Sequence, residues 1–133
     1  REQKAEALYR DLLTTCDDVS YHANLGLAYY KQGKYKESCV SYHAAYTKDE
    51  KNPERCATLG RAYIAARRFN DAAECLEKAC ERLSRDTKLL HLLAECYLQV
   101  ELAEKAQETY KRINKLEPYN EDVKEKLLTL AKA

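Results

Sequence analysis

The chain has 133 residues, of which 45% are hydrophobic and 34% are charged, a balance typical of a folded, water-soluble domain. Lysine and arginine number 23 against 22 aspartate and glutamate residues, so no excess of positive charge points to a nucleic-acid interface. No apolar run approaches the roughly 20 residues that a membrane-spanning helix needs. Only three glycines and two prolines occur, and so few helix-breaking residues favour an all-helical fold.

Apolar residues recur at helical spacing along the chain and predict eight helices. Asn52 and Pro53 signal the start of the fourth helix, Asp86 opens the sixth, and Asn120 can cap the eighth. The predicted linkers are short, so successive helices are expected to pack as antiparallel neighbours. The predicted helices cover residues 2–15, 19–32, 35–48, 53–66, 69–83, 87–100, 103–116 and 120–132.

One pattern returns at a fixed interval of 34 residues. Gly26 is followed at that interval by Gly60 and then by Ala94. In each case a leucine precedes the small residue and a tyrosine follows it three positions later. Small residues let two helices approach each other closely, and repeats of this length mark architectures built from stacked units. A second small residue follows each tyrosine after nine positions, at Ser38, Ala72 and Ala106.

This pattern resembles the tetratricopeptide repeat, a helix–turn–helix unit of the same length, although His22, Cys56 and Leu90 stand where the family pattern has tryptophan. The resemblance implies an all-α fold, a right-handed α-solenoid of antiparallel helix pairs with about eight helices. The chain begins at Arg1 without methionine, so we interpret it as a fragment of a longer protein of this family. Three full units would span 19–52, 53–86 and 87–118, preceded by the second helix of an earlier unit at 1–16 and followed by a capping helix at 119–133.

In proteins with this repeat the first helix of each unit lines the concave surface, so the resemblance implies that a partner binds there. Residues beside the buried stripe of each first helix are expected to face that groove. Their apolar members could receive apolar side chains of a peptide, and their cations could pair with its carboxylates. Taken singly, the same residues fit an ordinary solvated surface. The predicted groove residues are Asn24, Leu27, Tyr30, Lys31, Arg61, Ile64, Lys88, His91, Glu95 and Leu98.

One subtype of the family clamps the carboxylate tail of heat-shock chaperones with lysine, asparagine and arginine side chains from three units. The matching positions here are Ala23, Leu27, Thr58, Lys88 and Leu92, and only Lys88 carries the expected residue. A carboxylate needs several converging donors, so we predict that the chain is not a carboxylate-clamp binder of chaperone tails. A second subtype has an asparagine at the same groove position in every unit to bind peptide backbone, whereas here Asn24 is followed by Thr58 and Leu92 at that position.

Five of the six cysteines lie inside predicted helices, which favours free thiols in a reducing compartment over a disulfide framework. The predicted location is therefore intracellular and cytoplasmic. Cys39 and His43 share one helical face, and Cys75 and Cys80 nearly do. A structural zinc site needs four ligands, usually in CxxC-type pairs, and packing explains these residues better. We expect no metal and no cofactor.

The sequence contains no catalytic signature: it has no phosphate-binding glycine loop and no GxSxG or HExxH motif. His91 and Glu95 lie one helical turn apart, and we interpret them as an ordinary helical pair. We therefore predict a non-enzymatic adaptor or scaffold that holds a peptide or helical segment of another protein, within a multiprotein complex. The alternative is a structural segment that stacks end to end with further repeats or forms a homodimer. Neither nucleic acid nor a membrane is an expected partner.

Overall fold

The computed structural model describes residues 1–132, and this part of the chain consists of eight α-helices joined by short turns, without a strand. The main packing contacts join helices that follow one another in the chain, which gives the stack of helix pairs that the repeat predicts. No helix within residues 1–132 combines the length and apolar character that crossing a bilayer requires. The helices are α1 (Glu2–Leu13), α2 (Val19–Lys31), α3 (Tyr35–Lys48), α4 (Pro53–Ala65), α5 (Phe69–Arg82), α6 (Thr87–Gln99), α7 (Ala103–Leu116) and α8 (Glu121–Lys132).

Four helices begin at capping residues that are themselves 34 residues apart. At the starts of α2 and α4, the side chains of Asp18 and Asn52 accept a backbone N–H of the first turn at 2.7 and 3.0 Å. Asp86 and Asn120 cap α6 and α8 in the same way, at 3.2 and 3.3 Å. Such an acceptor satisfies N–H groups that have no partner within the helix. The predicted helix starts at Asn52 and Asn120 are confirmed.

The turn inside each helix pair contains one residue in the left-handed backbone conformation. Gly33 has a φ of 77°, and the equivalent residues Arg67 and Glu101 have φ values of 61° and 62°. In all three turns the next N–H donates to the carbonyl of the tyrosine five positions back, at 2.9, 2.8 and 2.8 Å. A left-handed residue followed by this hydrogen bond is the Schellman motif, which ends many helices. The same turn therefore forms even where the sequence offers no glycine.

The close approach of the two helices in a pair depends on the small residue of the first helix. A Cβ atom added at Gly26 would lie 3.0 Å from the ring of Tyr42, and one added at Gly60 would lie 2.9 Å from Cγ of Leu76. Ser38 Oγ donates a hydrogen bond to the carbonyl of Gly26 at 2.8 Å. The predicted role of these small residues is confirmed, and buried side chains of α3 to α8 join into one continuous core.

The two ends of the stack are less buried than its middle. No residue of α1 is buried, and Val123 is the buried residue of α8. Leu127 and Leu130 lie half-buried against the core, as the inward stripe of α8 predicts. The polar residues on the outer side of α8 are exposed, which is what the terminal helix of a stack needs in water.

Candidate functional site

The predicted groove residues all lie on the first helices of the three pairs, and each is exposed or half-buried. We call these ten residues the first-helix surface. Because the helices repeat at a fixed interval, a residue of α2 corresponds to one of α4 and one of α6, and corresponding residues form rows across the stack. The surface comprises Asn24, Leu27, Tyr30 and Lys31 on α2, Arg61 and Ile64 on α4, and Lys88, His91, Glu95 and Leu98 on α6.

One row of this surface is apolar in all three helices and consists of Tyr30, Ile64 and Leu98. Ile64 and Leu98 are half-buried against the core, whereas 37% of Tyr30 is exposed. The ring of Tyr30 meets that of Tyr35 edge to face, with centroids 5.2 Å apart, which helps to hold its orientation. Leu27, on the preceding turn of α2, is 42% exposed. The accessible apolar area is therefore concentrated at the α2 end.

The cations of the first-helix surface are largely free of partners within residues 1–132. Arg61 and Lys88 are exposed and form no ion pair there. Lys31 Nζ lies 4.0 Å from Glu2 Oε1, at the outer limit of an ion pair. An exposed guanidinium or ammonium without a partner can donate to a ligand carboxylate. Arg61 and Lys88 can therefore donate hydrogen bonds to a ligand that lies along the apolar row.

The expected pairing of His91 with Glu95 is wrong. His91 Nε2 instead lies 3.5 Å from Oε1 of Glu117, just after α7, and Glu95 stays exposed. Hydrogen bonds from Thr87 and Asn120, and a weaker contribution from His91, lower the pKa of the Glu117 carboxyl. The Glu117 carboxylate thus interacts with side chains of α6 and of the linker before α8. This tertiary contact outcompetes the local one because several groups converge on the same carboxylate.

Of the five positions that match the family's carboxylate clamp, one carries a charged hydrogen-bond donor. Ala23, Leu27 and Leu92 carry apolar side chains, and the Thr58 hydroxyl donates to a carbonyl one turn back in its own helix at 2.5 Å. Lys88 is the cation of this set. A carboxylate placed at these positions would therefore meet a single ammonium group and no converging amide or guanidinium.

Cavities also lie beside the second helices of the pairs, away from the first-helix surface. The cavity between α1 and α3 has a volume of about 440 Å³, that between α3 and the end of α4 with its following turn about 290 Å³, and that between α5 and α7 about 370 Å³. The tyrosine of the repeat lines each of them, at Tyr29, Tyr63 and Tyr97. None of the ten residues of the first-helix surface lines these three cavities.

The cavity between α1 and α3 is the most apolar, and the sequence reasoning did not single it out. Leu13 and Leu25 line it together with Val40, which is strongly exposed for an aliphatic residue. Glu74 and Glu108 stand at the position of Val40 in the next two second helices. An apolar residue where the other units carry glutamate is the signal that could have pointed to this cavity.

All six cysteines are free thiols. Burial raises the pKa of Cys75 to about 12 and those of Cys80 and Cys96 to about 11, so these thiols are protonated at neutral pH. A neutral thiol is a poor nucleophile and a poor metal ligand. Within residues 1–132, no three side chains of metal-ligating type come together. The buried thiols act as small apolar residues of the core.

Comparison with models of protein families finds two matches, both to the tetratricopeptide repeat, over residues 29–82 and 87–120. A comparison with curated protein sequences finds no significant match.

The chain is similar in fold to solved structures of MamA. MamA MSR-1 is 18% identical, with 99% of this chain and 76% of that chain covered and a TM-score of 0.84. For MamA AMB-1 the identity is 19%, the coverage is 99% and 73%, and the TM-score is 0.87. The first TPR of Spaghetti (RPAP3), bound to the HSP90 peptide SRMEEVD, is 24% identical, with 86% and 93% coverage and a TM-score of 0.68. At these identities the likeness shows a shared fold.

Proposed function

This chain belongs to the tetratricopeptide repeat family, and on that premise we propose that its first-helix surface binds a segment of a partner protein. The family's fold is generally a protein–protein interaction module and a non-enzymatic scaffold. In this proposal the units are 19–52, 53–86 and 87–118, and their first helices lie side by side to form the binding groove. The segment bound is a peptide or a helix, and the module works as a scaffold within a multiprotein complex.

The observation that carries the proposal is that two accessible apolar side chains, Leu27 and Tyr30, share one surface with cations that have no partner within residues 1–132. Leu27 and Tyr30 expose apolar area that burial against a ligand would remove from water. Arg61 corresponds to Leu27 one unit further along and has no partner within residues 1–132. Tyrosine and arginine are the residue types that most often dominate the energy of protein interfaces.

The chemistry of the surface selects the kind of ligand. A fitting segment places an apolar side chain against Leu27 and Tyr30 and a carboxylate within reach of Arg61 or Lys88. The first TPR of Spaghetti holds an HSP90 peptide, which supports a peptide as the ligand of this fold. The clamp positions here carry one cation, so we do not extend that peptide's identity to this chain. The six free thiols support the proposed intracellular, cytoplasmic location.

The test is affinity capture from a cell lysate with the wild-type chain and with the double variant Tyr30→Ala/Arg61→Glu. The variant removes the aromatic contact and reverses the charge that should meet the ligand's carboxylate. We expect the partners captured by the wild type to be lost with the variant. Circular dichroism checks that the variant remains helical, since both residues lie on the surface.

The matched control is Tyr119→Ala/Arg85→Glu, which changes the same residue types at exposed positions outside the first-helix surface. This control should capture the same partners as the wild type. If the Tyr30→Ala/Arg61→Glu variant recovers an unchanged set of partners, the first-helix surface is not the binding site.

A second candidate function is self-association, either by end-to-end stacking with further repeats or as a homodimer. The observation that favours it is the exposure of α1, where Leu8 is accessible and no residue is buried. Static light scattering over a range of protein concentrations distinguishes the two functions. The mass of a self-associating chain rises with concentration, whereas that of a monomeric adaptor stays constant.

A further inference from the structure

The cavity between α1 and α3 and the cavity between α5 and α7 occupy the same place in the repeat. Eight of the nine residues that line the former have an equivalent, two units further along the chain, that lines the latter. The two cavities can therefore be compared position by position. The equivalent residues are Arg10 and Glu77, Leu13 and Cys80, Leu25 and Leu93, Tyr29 and Tyr97, Glu37 and Lys105, Val40 and Glu108, Ser41 and Thr109, and Ala44 and Arg112.

The opening of such a cavity is a property of the repeat itself. The helix α4 packs on α5, yet no residue of α4 lines the cavity between α5 and α7. A helix packed on α1 as α4 packs on α5 would therefore leave the cavity between α1 and α3 open. The residues that line this cavity all belong to α1, α2 and α3.

The two cavities differ in the chemistry of the second helix that lines them. Val40 and Ala44 lie one helical turn apart on α3, where α7 has Glu108 and Arg112. Val40 is 72% exposed, and a ligand that covered it would remove apolar surface from water. The volume of about 440 Å³ lies within the range of about 300–1,000 Å³ that is typical of ligand pockets lined mainly by apolar side chains. The cavity between α1 and α3 is therefore suited to an apolar group, whereas its equivalent presents charged side chains instead.

The uncompensated charge at the cavity between α1 and α3 is negative. Of its basic and acidic residues, Arg10 pairs with Glu6 at 3.2 Å, and His22 Nε2 lies 2.6 Å from Oδ1 of Asp17. Glu37 is exposed and forms no ion pair within residues 1–132. A ligand that complements the cavity therefore carries a cation beside its apolar group.

Glu37 and Val40 lie three residues apart on α3, a spacing that makes them neighbours on the helix surface. We propose that the cavity between α1 and α3 binds a bulky apolar side chain of a partner protein, while a neighbouring lysine or arginine of the same segment pairs with Glu37. This site lies away from the first-helix surface and takes a cation, whereas that surface takes a carboxylate. The chain can therefore hold two segments of different chemistry, and this site does not depend on binding at the first-helix surface.

The probe is the dipeptide acetyl-phenylalanyl-lysine amide, which presents an aromatic ring beside an ammonium group. It is titrated into the full chain under reducing conditions, and the methyl NMR resonances of Leu25, Val40 and Ala44 report on the cavity. We expect saturable shifts of these resonances. Acetyl-alanyl-lysine amide, which lacks the ring, should bind more weakly by roughly tenfold or more. Acetyl-phenylalanyl-glutamine amide, which lacks the charge, should bind about two- to fivefold more weakly.

Two variants of the protein test the two halves of the site. Val40→Gln removes the apolar side chain without changing the charge, and the exposed position tolerates glutamine, which has a higher helix propensity than valine. It should weaken binding of the phenylalanyl-lysine probe by roughly fivefold or more. Glu37→Gln should weaken the same probe by about two- to fivefold and abolish its advantage over the glutamine probe.

Two control variants separate this site from other surfaces. Glu74→Gln removes a carboxylate at the position of α5 that corresponds to Val40, and it should leave probe binding unchanged. Tyr30→Ala/Arg61→Glu should also leave it unchanged, because both residues lie on the first-helix surface. Circular dichroism of every variant must match that of the wild type.

Several outcomes would overturn the proposal. They are no shift of the cavity resonances with the phenylalanyl-lysine probe, equal binding of the three dipeptides, binding insensitive to Val40→Gln, and a preference for lysine that survives Glu37→Gln. Tighter binding of phenethylammonium, which has the ring and the cation without a peptide backbone, would show a site for free amines instead. Shifts of the Val40 resonances on raising the protein concentration alone would show that a second copy of the chain occupies the cavity.

Discussion

The helix pairs α2–α3 and α4–α5 share the same kind of turn and the same close helix approach, but different side chains form them. The turn of the first pair has Gly33 in the left-handed conformation, and the turn of the second has Arg67 there. The close approach is made by Gly26 against an aromatic ring in the first pair and by Gly60 against Leu76 in the second. The spacing of the repeat therefore fixes where the turn and the close approach occur. The strain at each of them depends on the residue that stands there.

The pairs also differ in position, since α4–α5 is sandwiched between two complete pairs and α2–α3 has only α1 on one side. Leu59 in α4 is almost fully buried, whereas its equivalent Leu25 retains some exposure and lines the apolar cavity beside α1. In a stack, each unit depends on its neighbours for part of its burial. Stability should therefore be concentrated in the middle pair.

The largest expected effect comes from truncating the core of the middle pair. Leu59→Ala removes buried methyl groups and leaves a cavity, so it should lower the free energy of unfolding by about 2–5 kcal/mol. Leu25→Ala should cost less, because its site is already open on one side. Urea denaturation of both variants measures the difference, and equal costs would remove the distinction between middle and end.

The close approach of the helices gives the next largest effect. Gly60→Ala places a Cβ atom 2.9 Å from Leu76 Cγ, so the core must shift, at a typical cost of about 1–3 kcal/mol. The higher helix propensity of alanine offsets about 1 kcal/mol of this cost. We expect net destabilisation, and a smaller one when the change is made in a Leu76→Ala background, which removes the Cγ and Cδ atoms that clash. If Gly60→Ala stabilised the protein, the space between Gly60 and Leu76 would be large enough for a methyl group without strain.

At the two turns, the glycine of one pair and the arginine of the other can be exchanged for a residue of the opposite kind. Gly33→Ala places a Cβ in the left-handed conformation and should destabilise by about 1 kcal/mol, although no atom lies within 4 Å of the added group. Arg67→Gly relieves the same strain and should stabilise by about 0.5 kcal/mol after the loss of backbone entropy. Thermal unfolding of both variants tests this. Shifts of the same sign would contradict a shared strain at the two turns.

The smallest effect concerns the attachment of α1. Glu6 Oε1 accepts hydrogen bonds from Lys34 Nζ and Gln32 Nε2, both at 3.0 Å, and these lower the pKa of Glu6 below its ordinary 4.5. Because the pKa in the folded state is lowered, the ionised carboxylate contributes stability above the ordinary value and loses it as pH falls through the lowered one. Glu6→Gln should therefore be slightly less stable than wild type at neutral pH.

This difference in stability should disappear in acid, where the wild-type carboxyl is protonated as well. Urea denaturation at neutral pH and at a pH below the lowered pKa of Glu6 provides the measurement. A stability difference that persists unchanged in acid would mean that the carboxylate's charge does not hold α1 in place.

Much of the fold could be predicted because its determinants are local and repeated. The capping residues Asp18, Asn52, Asp86 and Asn120 stand at the interval of the repeat, and each caps the helix that begins after it. At Gly33 the glycine itself is a sequence signal for a left-handed turn at the end of a helix. The equivalent turns at Arg67 and Glu101 lack that signal, because there the hydrogen bonds and packing of the pair impose the conformation.

The partners of individual side chains were less predictable. The sequence places His91 one turn from Glu95, yet His91 approaches Glu117, which the fold brings from the end of α7. The apolar cavity between α1 and α3 depends on Val40 facing residues of two other helices. The distance between residues far apart in sequence is set by how the helices stack, and helical spacing within one element carries no information about it.

The amino-acid sequence by itself determined that this protein is a stack of like helix pairs, because glycine, tyrosine and capping residues at a constant interval specify local structure. The tertiary structure decided which faces of that stack remain open, among them Leu8 on α1 and Leu128 on α8. Helix formation depends on residues a turn apart, whereas the burial of a side chain depends on which other helices lie against it.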